Sequence, residues 1–215
     1  MKTITVSREF GSGGRELGKR LADVLGVAYY DKEIISKIAE NLKLDEQYIE
    51  NHLERDFTVN FPYTFRCSFS TPFYAMNQVV DMLVEQHKII RTLAKREDCV
   101  IVGRGADAVL HDMGPYNIFV YADMAAKKER CRNRASPGKT LSERELERRI
   151  RQIDKARAAS YDLVSGYPWG DKRAYHLCVN TTGLDIPQIV PHLAAFVKIW
   201  FERKDHGDSI ISVSY

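Results

Sequence analysis

Cysteine is scarce. The 215-residue chain has four, Cys67, Cys99, Cys131 and Cys178, and no two stand in a Cys-x-x-Cys spacing. A disulfide framework or a zinc site of that type is excluded, and the four read as free thiols, two of them in apolar strand-like runs. The six histidines (52, 87, 111, 176, 192, 206) show no metal-ligand spacing. No Ser/His/Asp or Cys/His arrangement points to a nucleophile, and His87 and His176 read as core or boundary residues. No apolar run approaches the ~18 residues of a membrane span. The segment MKTITVSREF has no apolar signal core, so a cytoplasmic protein without a membrane partner is expected. Internal repeats and low-complexity tracts are also missing. So is an excess of one charge: 32 Lys+Arg against 29 Asp+Glu leave +3. That is too near balance for a general binder of nucleic-acid polymers.

What is present is ordinary globular usage, 44% hydrophobic and 28% charged. A chain of this length buries a full core without disulfides or structural metal. One domain over 1–203 with a polar tail at 204–215 is expected. The charge is unevenly spread. Lys127–Arg157 holds twelve Lys/Arg and five acids, a net +7, so the rest is slightly acidic. A local basic segment on such a body suits a small, highly charged anionic ligand.

Five short apolar runs read as buried parallel strands: Thr3–Ser7, Val27–Tyr30, Cys99–Gly103, Asn117–Tyr121 and His176–Asn180. Helical patterns separate them. Leu17, Leu21 and Leu25 recur every four residues up to Gly26. Val80, Leu83, Val84, His87, Ile90 and Leu93 keep a helical period, as do Ile189, Leu193, Phe196, Val197 and Trp200. Alternating strands and helices predict an α/β domain with a central parallel sheet. Two segments break the rhythm. Residues 45–76 gather seven aromatics between Phe57 and Tyr74, which would suit a cover over substrate or a homodimer contact, or simply a loop packed on the core. Ser136–Gly138 interrupts the basic segment ahead of a helix whose start carries a capping box, Ser142 with Glu145.

The stretch ITVSREFGSGGRELGKRLADVLG runs from strand to Gly-rich turn to amphipathic helix. Such a turn aims backbone N–H groups at phosphate oxygens, and the helix dipole adds to them. Against G-x-x-x-x-G-K-[ST], two registers can be tried. With Gly13, Gly18 and Lys19, Arg20 replaces the Ser/Thr and Leu17 drops out of the helix. With Gly14 as the last glycine, Glu9, Arg15 and Glu16 replace the first glycine, the lysine and the Ser/Thr. The second register starts the helix where the leucine stripe demands, and it is preferred. A dinucleotide fingerprint competes: Gly11-x-Gly13-x-x-Glu16, with Asp31 twenty residues after Gly11. Its third glycine is missing, and it leaves the arginines unexplained. Arg104 follows a strand directly. Arg130 and Arg134 share a helix face, and so do Arg151, Asp154 and Arg157. Phosphoryl transfer is largely positioning and charge stabilisation, for which Arg is the usual tool.

These residues give the sequence a resemblance to the cytidylate kinase-like family of P-loop proteins. It is carried by SREFGSGGRELGKRLA at 7–22, YYDKEII at 29–35, VIVGRGADAVL at 100–110, IFVYADMAAKKERCRNR at 118–134, RQIDKAR at 151–157 and NTTGLDI at 180–186. It is weak over 40–95. The resemblance implies a P-loop nucleotide-kinase fold, with a five-stranded parallel sheet, helices on both faces, a helical acceptor-binding insertion at about 36–96 and an Arg-rich lid at about 135–150. The implied reaction is transfer of the γ-phosphoryl of ATP, with Mg2+, to CMP or dCMP. Phe10, Gly11, Ser12, Gly13, Gly14, Arg15 and Glu16 would hold ATP, flanked by Arg130 and Arg134. Asp31, Lys37, Arg104, Asp154 and Arg157 would face the acceptor, with Arg15, Arg104, Arg151 and Arg157 acting on the transferred group. Glu16 would stand on the Mg2+ side. The chain departs from the family pattern at Gly14-Arg15-Glu16, at Lys32, Ser36 and Lys37, and at Val102, where an Asp is usual and Asp107 is the substitute at hand. Two alternatives stay open: a nucleotide-binding protein with a degenerate loop and no transfer, and a kinase of a non-nucleotide small molecule.

Overall fold

The computed structural model describes residues 1–49, 73–135 and 141–205. Strands β1 (Thr3–Arg8), β2 (Ala28–Tyr30), β3 (Cys99–Val102), β4 (Tyr116–Tyr121) and β5 (Leu177–Asn180) form one parallel sheet in the order β2-β3-β1-β4-β5. All five expected runs are strands, with ends shifted by a residue: Val27, Gly103 and His176 fall outside, Arg8 and Tyr116 inside. In the dinucleotide fold β2 lies beside β1. Here β3 lies between them, which removes that alternative.

The helices are α1 (Gly14–Leu25), α2 (Glu33–Leu42), α3 (Phe73–Arg96), the short α4 (Ala106–Val109), α5 (Met124–Asn133), α6 (Glu143–Asp162) and α7 (Ile186–Asp205). The leucine stripe decides where α1 begins. Leu17 and Leu21 are fully buried, so the helix must start by Gly14, and it stops at Gly26, a left-handed cap. On one side of the sheet, α1 and α7 pack Leu17, Leu21, Val190 and Val197 against Ile4, Val6, Val100 and Val120. On the other, α2 and α3 pack Ile34, Ile38, Met82, Ile90 and Leu93 against Cys99 and Ile101. Each such buried aliphatic contributes about 1.5–3 kcal/mol.

The second face of β1 is not apolar, as the near-continuous reading of the strands had it. Thr3, Thr5 and Ser7 are buried there. Thr5 donates to Asn117 Oδ1 at 2.7 Å and Ser7 to Asp107 Oδ1 at 3.1 Å, so the hydroxyls are satisfied inside the chain. This polar row leads up β1 to the carboxyl edge of the sheet.

Ser142 caps α6 with the expected reciprocal box to Glu145. His176 is a boundary residue, as expected: its Nδ1 accepts the Asn117 N–H at 3.0 Å and its ring stacks on Tyr116. The expected insertion contains α2 and α3. Of the expected lid, 136–140 lies outside the described residues and Glu143 onward is α6. The aromatic segment from Phe57 up to residue 72, and the tail from 206, also lie outside. No helix among the described residues is long and apolar enough to cross a membrane.

Candidate active site

The turn after β1 is shaped by close approach. At Gly13, φ is +85°, and a Cβ would meet Ile186 Cδ1 at 2.7 Å, so only glycine fits. Thr181, at the end of β5, donates to the Ser12 carbonyl at 2.7 Å. Arg130 of α5 reaches the carbonyls of Ser12 (3.4 Å), Thr181 (2.5 Å) and Leu184 (3.4 Å). The Ser12 carbonyl is thereby held from two sides, by Thr181 and Arg130. The N–H groups of Gly11, Gly13, Arg15 and Glu16 have no partner among the described residues. Unpartnered donors at a helix start suit phosphate oxygens.

The charged residues of the loop are each engaged. Arg15 Nε lies 2.6 Å from Asp31 Oδ2, and Arg8 Nη2 lies 3.4 Å from Asp31 Oδ1. Asp31, at the end of β2, is buried between the two guanidiniums and 3.4 Å from the Tyr29 hydroxyl. Burial and that carboxylate push the Tyr29 phenol up to about 12. Glu16 pairs with Arg20 at 2.9 Å and Arg134 at 2.8 Å. Lys127, 5% exposed, sits between Glu9 (2.6 Å) and Asp154 (3.2 Å). Asp154 also accepts the Phe10 N–H at 2.6 Å, and burial raises its carboxyl above the usual range. Arg157 donates to the Arg8 carbonyl at 3.0 Å and lies over the Phe10 ring.

Beside the loop opens a cleft. Its walls include Ser7, Arg8, Gln86, His87, Arg104, Arg157, Ser160 and Trp169. Among the described residues they carry three guanidiniums and no carboxylate. Arg104 holds a left-handed backbone (φ +63°) between Gly103 (+79°) and Gly105 (+62°). A side chain in that region is strained and is typically held for a purpose. A Cβ at Gly103 would clash with the Arg8 guanidinium, so the glycine lets Arg8 lie flat across the end of β3. His87 is half-buried, and desolvation lowers its pKa, which keeps it neutral near pH 7.

Several sequence candidates therefore meet at one sheet edge. The residues from Phe10 to Glu16 form the turn, Asp31 and Arg15 pair beneath it, and Arg104 and Arg157 line the cleft. Asp154 faces the loop and Lys127 instead of the cleft wall. Arg151 is not brought in: it is exposed on α6 and pairs with Glu147 at 2.8 Å. Lys37 lies half-buried on α2, outside the cleft lining. Asp107 is fully buried, accepting from Ser7 and Tyr161 (2.7 Å), so it does not supply the carboxylate missing at Val102. Sequence reasoning missed Arg8, Lys127, Thr181 and Gln86. Lys127 was hidden in the basic run, and Arg8 looked like the polar end of a strand.

The loop fits a triphosphate by its free N–H groups. For Mg2+ the fit is narrower. No cluster of three or more His, Cys, Asp or Glu occurs among the described residues. Such an ion is commonly held by one or two carboxylates together with substrate phosphates. Glu16 is the loop's carboxylate, and it would exchange Arg134 for the ion.

Known proteins bear on this geometry. A search of curated sequences gives no significant match. Among solved structures, an uncharacterized protein from Eubacterium ventriosum is 23% identical, with a TM-score of 0.66, over 92% of this chain and 99% of that one. Shikimate kinase from Bacteroides thetaiotaomicron is 17% identical, with a TM-score of 0.57, over 92% and 98%. Shikimate kinase from Acinetobacter baumannii, in complex with shikimate, is 14% identical, with a TM-score of 0.52, over 92% and 93%. At these identities the likeness is one of fold, that of shikimate kinase-like P-loop kinases. The model of the cytidylate kinase-like family matches residues 3–183, which take in all five strands and the residues lining the cleft. The chain belongs to the cytidylate kinase-like family.

Proposed function

We propose that the protein is an ATP-dependent kinase that passes the γ-phosphoryl group to a nucleoside monophosphate, CMP or dCMP first. One observation carries this reading: a cleft whose described walls gather three guanidiniums, beside a loop whose N–H groups at Gly11, Gly13, Arg15 and Glu16 have no partner among the described residues. Such a cleft favours an acceptor that is already anionic. A phosphate oxygen is a competent nucleophile near pH 7 without a general base, and two carboxylates beside the cleft are engaged, Asp31 by Arg8 and Arg15 and Asp107 by the Ser7 and Tyr161 hydroxyls. In this reading the N–H groups from Gly11 to Glu16 bind the ATP phosphates. Arg15 turns from Asp31 to the transferred group, and Arg104 and Arg157 orient the acceptor phosphate. Bound Mg2+ would neutralise charge on the phosphates, with Glu16 as the protein's carboxylate toward it. Catalysis is then mostly alignment and charge stabilisation.

A second reading rests on His87, a neutral imidazole in the cleft wall. It could accept a proton from a hydroxyl-bearing small molecule, which would make the acceptor a non-nucleotide. The engaged state of Arg15 and Glu16 supports a third, nucleotide binding without transfer. An ADP-release assay with Mg·ATP against nucleoside monophosphates and small hydroxyl acceptors separates them. Turnover with CMP or dCMP is expected. Turnover with hydroxyl acceptors alone selects the second reading. Nucleotide binding by calorimetry with no turnover selects the third.

A further inference from the structure

We infer that Lys127 is a positioning residue for nucleotide binding: it cancels the charge of two carboxylates that meet beside the loop, Glu9 after β1 and Asp154 of α6, and so lets the loop accept a polyphosphate. The inference rests on the nucleotide reading above and concerns a residue outside the loop.

Glu9 stands where a strict phosphate loop has its first glycine. A carboxylate there would repel phosphate. Its Oε2 is 2.6 Å from Lys127 Nζ and also accepts the Ala122 N–H at 3.2 Å. Asp154 reaches the same ammonium from α6 at 3.2 Å, while its other oxygen takes the Phe10 N–H at 2.6 Å. The Arg157 guanidinium lies 4.0 Å from Asp154. Two carboxylates and two cations thus form a neutral group spanning the turn, α5 and α6. Lys127 also presses on the loop with its backbone, since a Cβ on Gly11 would meet the Lys127 carbonyl at 2.9 Å. Its side chain is almost wholly removed from water, which strengthens its interaction with nearby charges relative to an exposed pair. Without it, two acids would face each other next to the unpartnered N–H groups of Gly11 and Gly13. That arrangement opposes each further phosphate of a ligand and leaves an uncharged nucleoside indifferent.

The test is calorimetry of ATP, ADP and adenosine binding to the full chain, as wild type, Lys127→Met, Lys127→Arg and the double variant Glu9→Gln/Lys127→Met. Lys127→Met should weaken ATP by about tenfold or more, ADP by less and adenosine not at all. Lys127→Arg should stay close to wild type. The double variant should recover part of the lost ATP affinity. An equal loss for ATP and adenosine, or a double variant as weak as the single one, would show a packing role and overturn the inference. If Lys127→Met fails to fold, a folded, ATP-binding double variant supports the charge role, and unfolding of both overturns it. Wild-type protein that binds no nucleotide would bring down the nucleotide reading and the inference together. Wild-type binding with an unchanged Lys127→Met overturns the inference alone.

Discussion

The phosphate loop and the cleft beside it share Arg8 and Arg157 but settle their charges differently. Around the loop every carboxylate meets a cation of this chain: Glu9 and Asp154 at Lys127, Glu16 at Arg134, Asp31 at Arg15. The cleft wall gathers Arg8, Arg104 and Arg157 with no carboxylate among its described lining residues, and the acids that Arg8 and Arg157 meet, Asp31 and Asp154, stand outside that lining. Groups settled inside a chain contribute mainly to stability. Groups directed at a space contribute mainly to what enters it. The two regions should therefore respond to substitution in opposite ways, the loop in stability and the cleft in turnover.

The largest expected effect separates them on the cleft side. Arg104→Gly removes a guanidinium and should lower kcat/KM by about 100-fold, as loss of one preorganised charge contact commonly does. Stability should move by no more than about 1 kcal/mol. Glycine relieves roughly 1–2 kcal/mol of left-handed strain and gives back roughly 0.5–1 kcal/mol in unfolded-chain entropy. Urea unfolding alongside the kinetics reads both quantities. Parallel losses in both would break the distinction between the regions.

The next effect belongs to the loop side and divides two arginines that the helix period treats alike. Arg130 donates to the Ser12 carbonyl of the turn and to the Thr181 and Leu184 carbonyls packed beside it, whereas Arg134 is exposed and, among the described residues, pairs with Glu16. Arg130→Met should cost about 2–3 kcal/mol, because charge-assisted bonds go and carbonyls lose their donor. For a chain of this size that lowers Tm by roughly 5–10 °C. Arg134→Met should stay within about 0.5 kcal/mol, as exposed ion pairs do. Thermal melts of the two variants decide it, and equal shifts would mean that Arg130 is not a structural member of the loop.

The same contrast explains what could be read from sequence. Strand positions and the start of α1 followed from apolar runs and the leucine stripe, because burial is cheap to encode and repeats with a period. Arg15, Arg104 and Arg157 were legible because charged residues at strand ends and on one helix face point to a ligand. Lys127 and the inward turn of Arg130 were not. Helix α5 has no apolar stripe: it docks on the loop with polar groups, and hydropathy cannot tell a docked charged face from a solvated one. The Thr3, Thr5 and Ser7 row was lost for a related reason, since buried hydroxyls satisfied by Asn117 and Asp107 look in sequence like surface residues. Arg151 shows the converse case. Spacing puts it on the face of Asp154 and Arg157, and in this structure it is exposed and pairs with Glu147.

The smallest expected effect sits at the seam between the regions. Asp107 is a carboxylate settled by hydroxyls, those of Ser7 and Tyr161, both of which line the cleft. Burial is the largest influence on it and raises its folded pKa above the usual 3.8. The folded state then binds more protons than the unfolded one just above that pH, so the wild type loses stability as pH rises from there through the folded pKa. Asp107→Asn keeps an acceptor for the hydroxyls and removes the titration. Its stability relative to wild type should be lowest near pH 4 and should climb until the wild-type carboxyl is fully ionised, then level off. Urea midpoints of both proteins from pH 4 to 8 give the curve. Parallel profiles would mean that the hydroxyls fully offset the burial, and Asp107 would then join the settled charges of the loop.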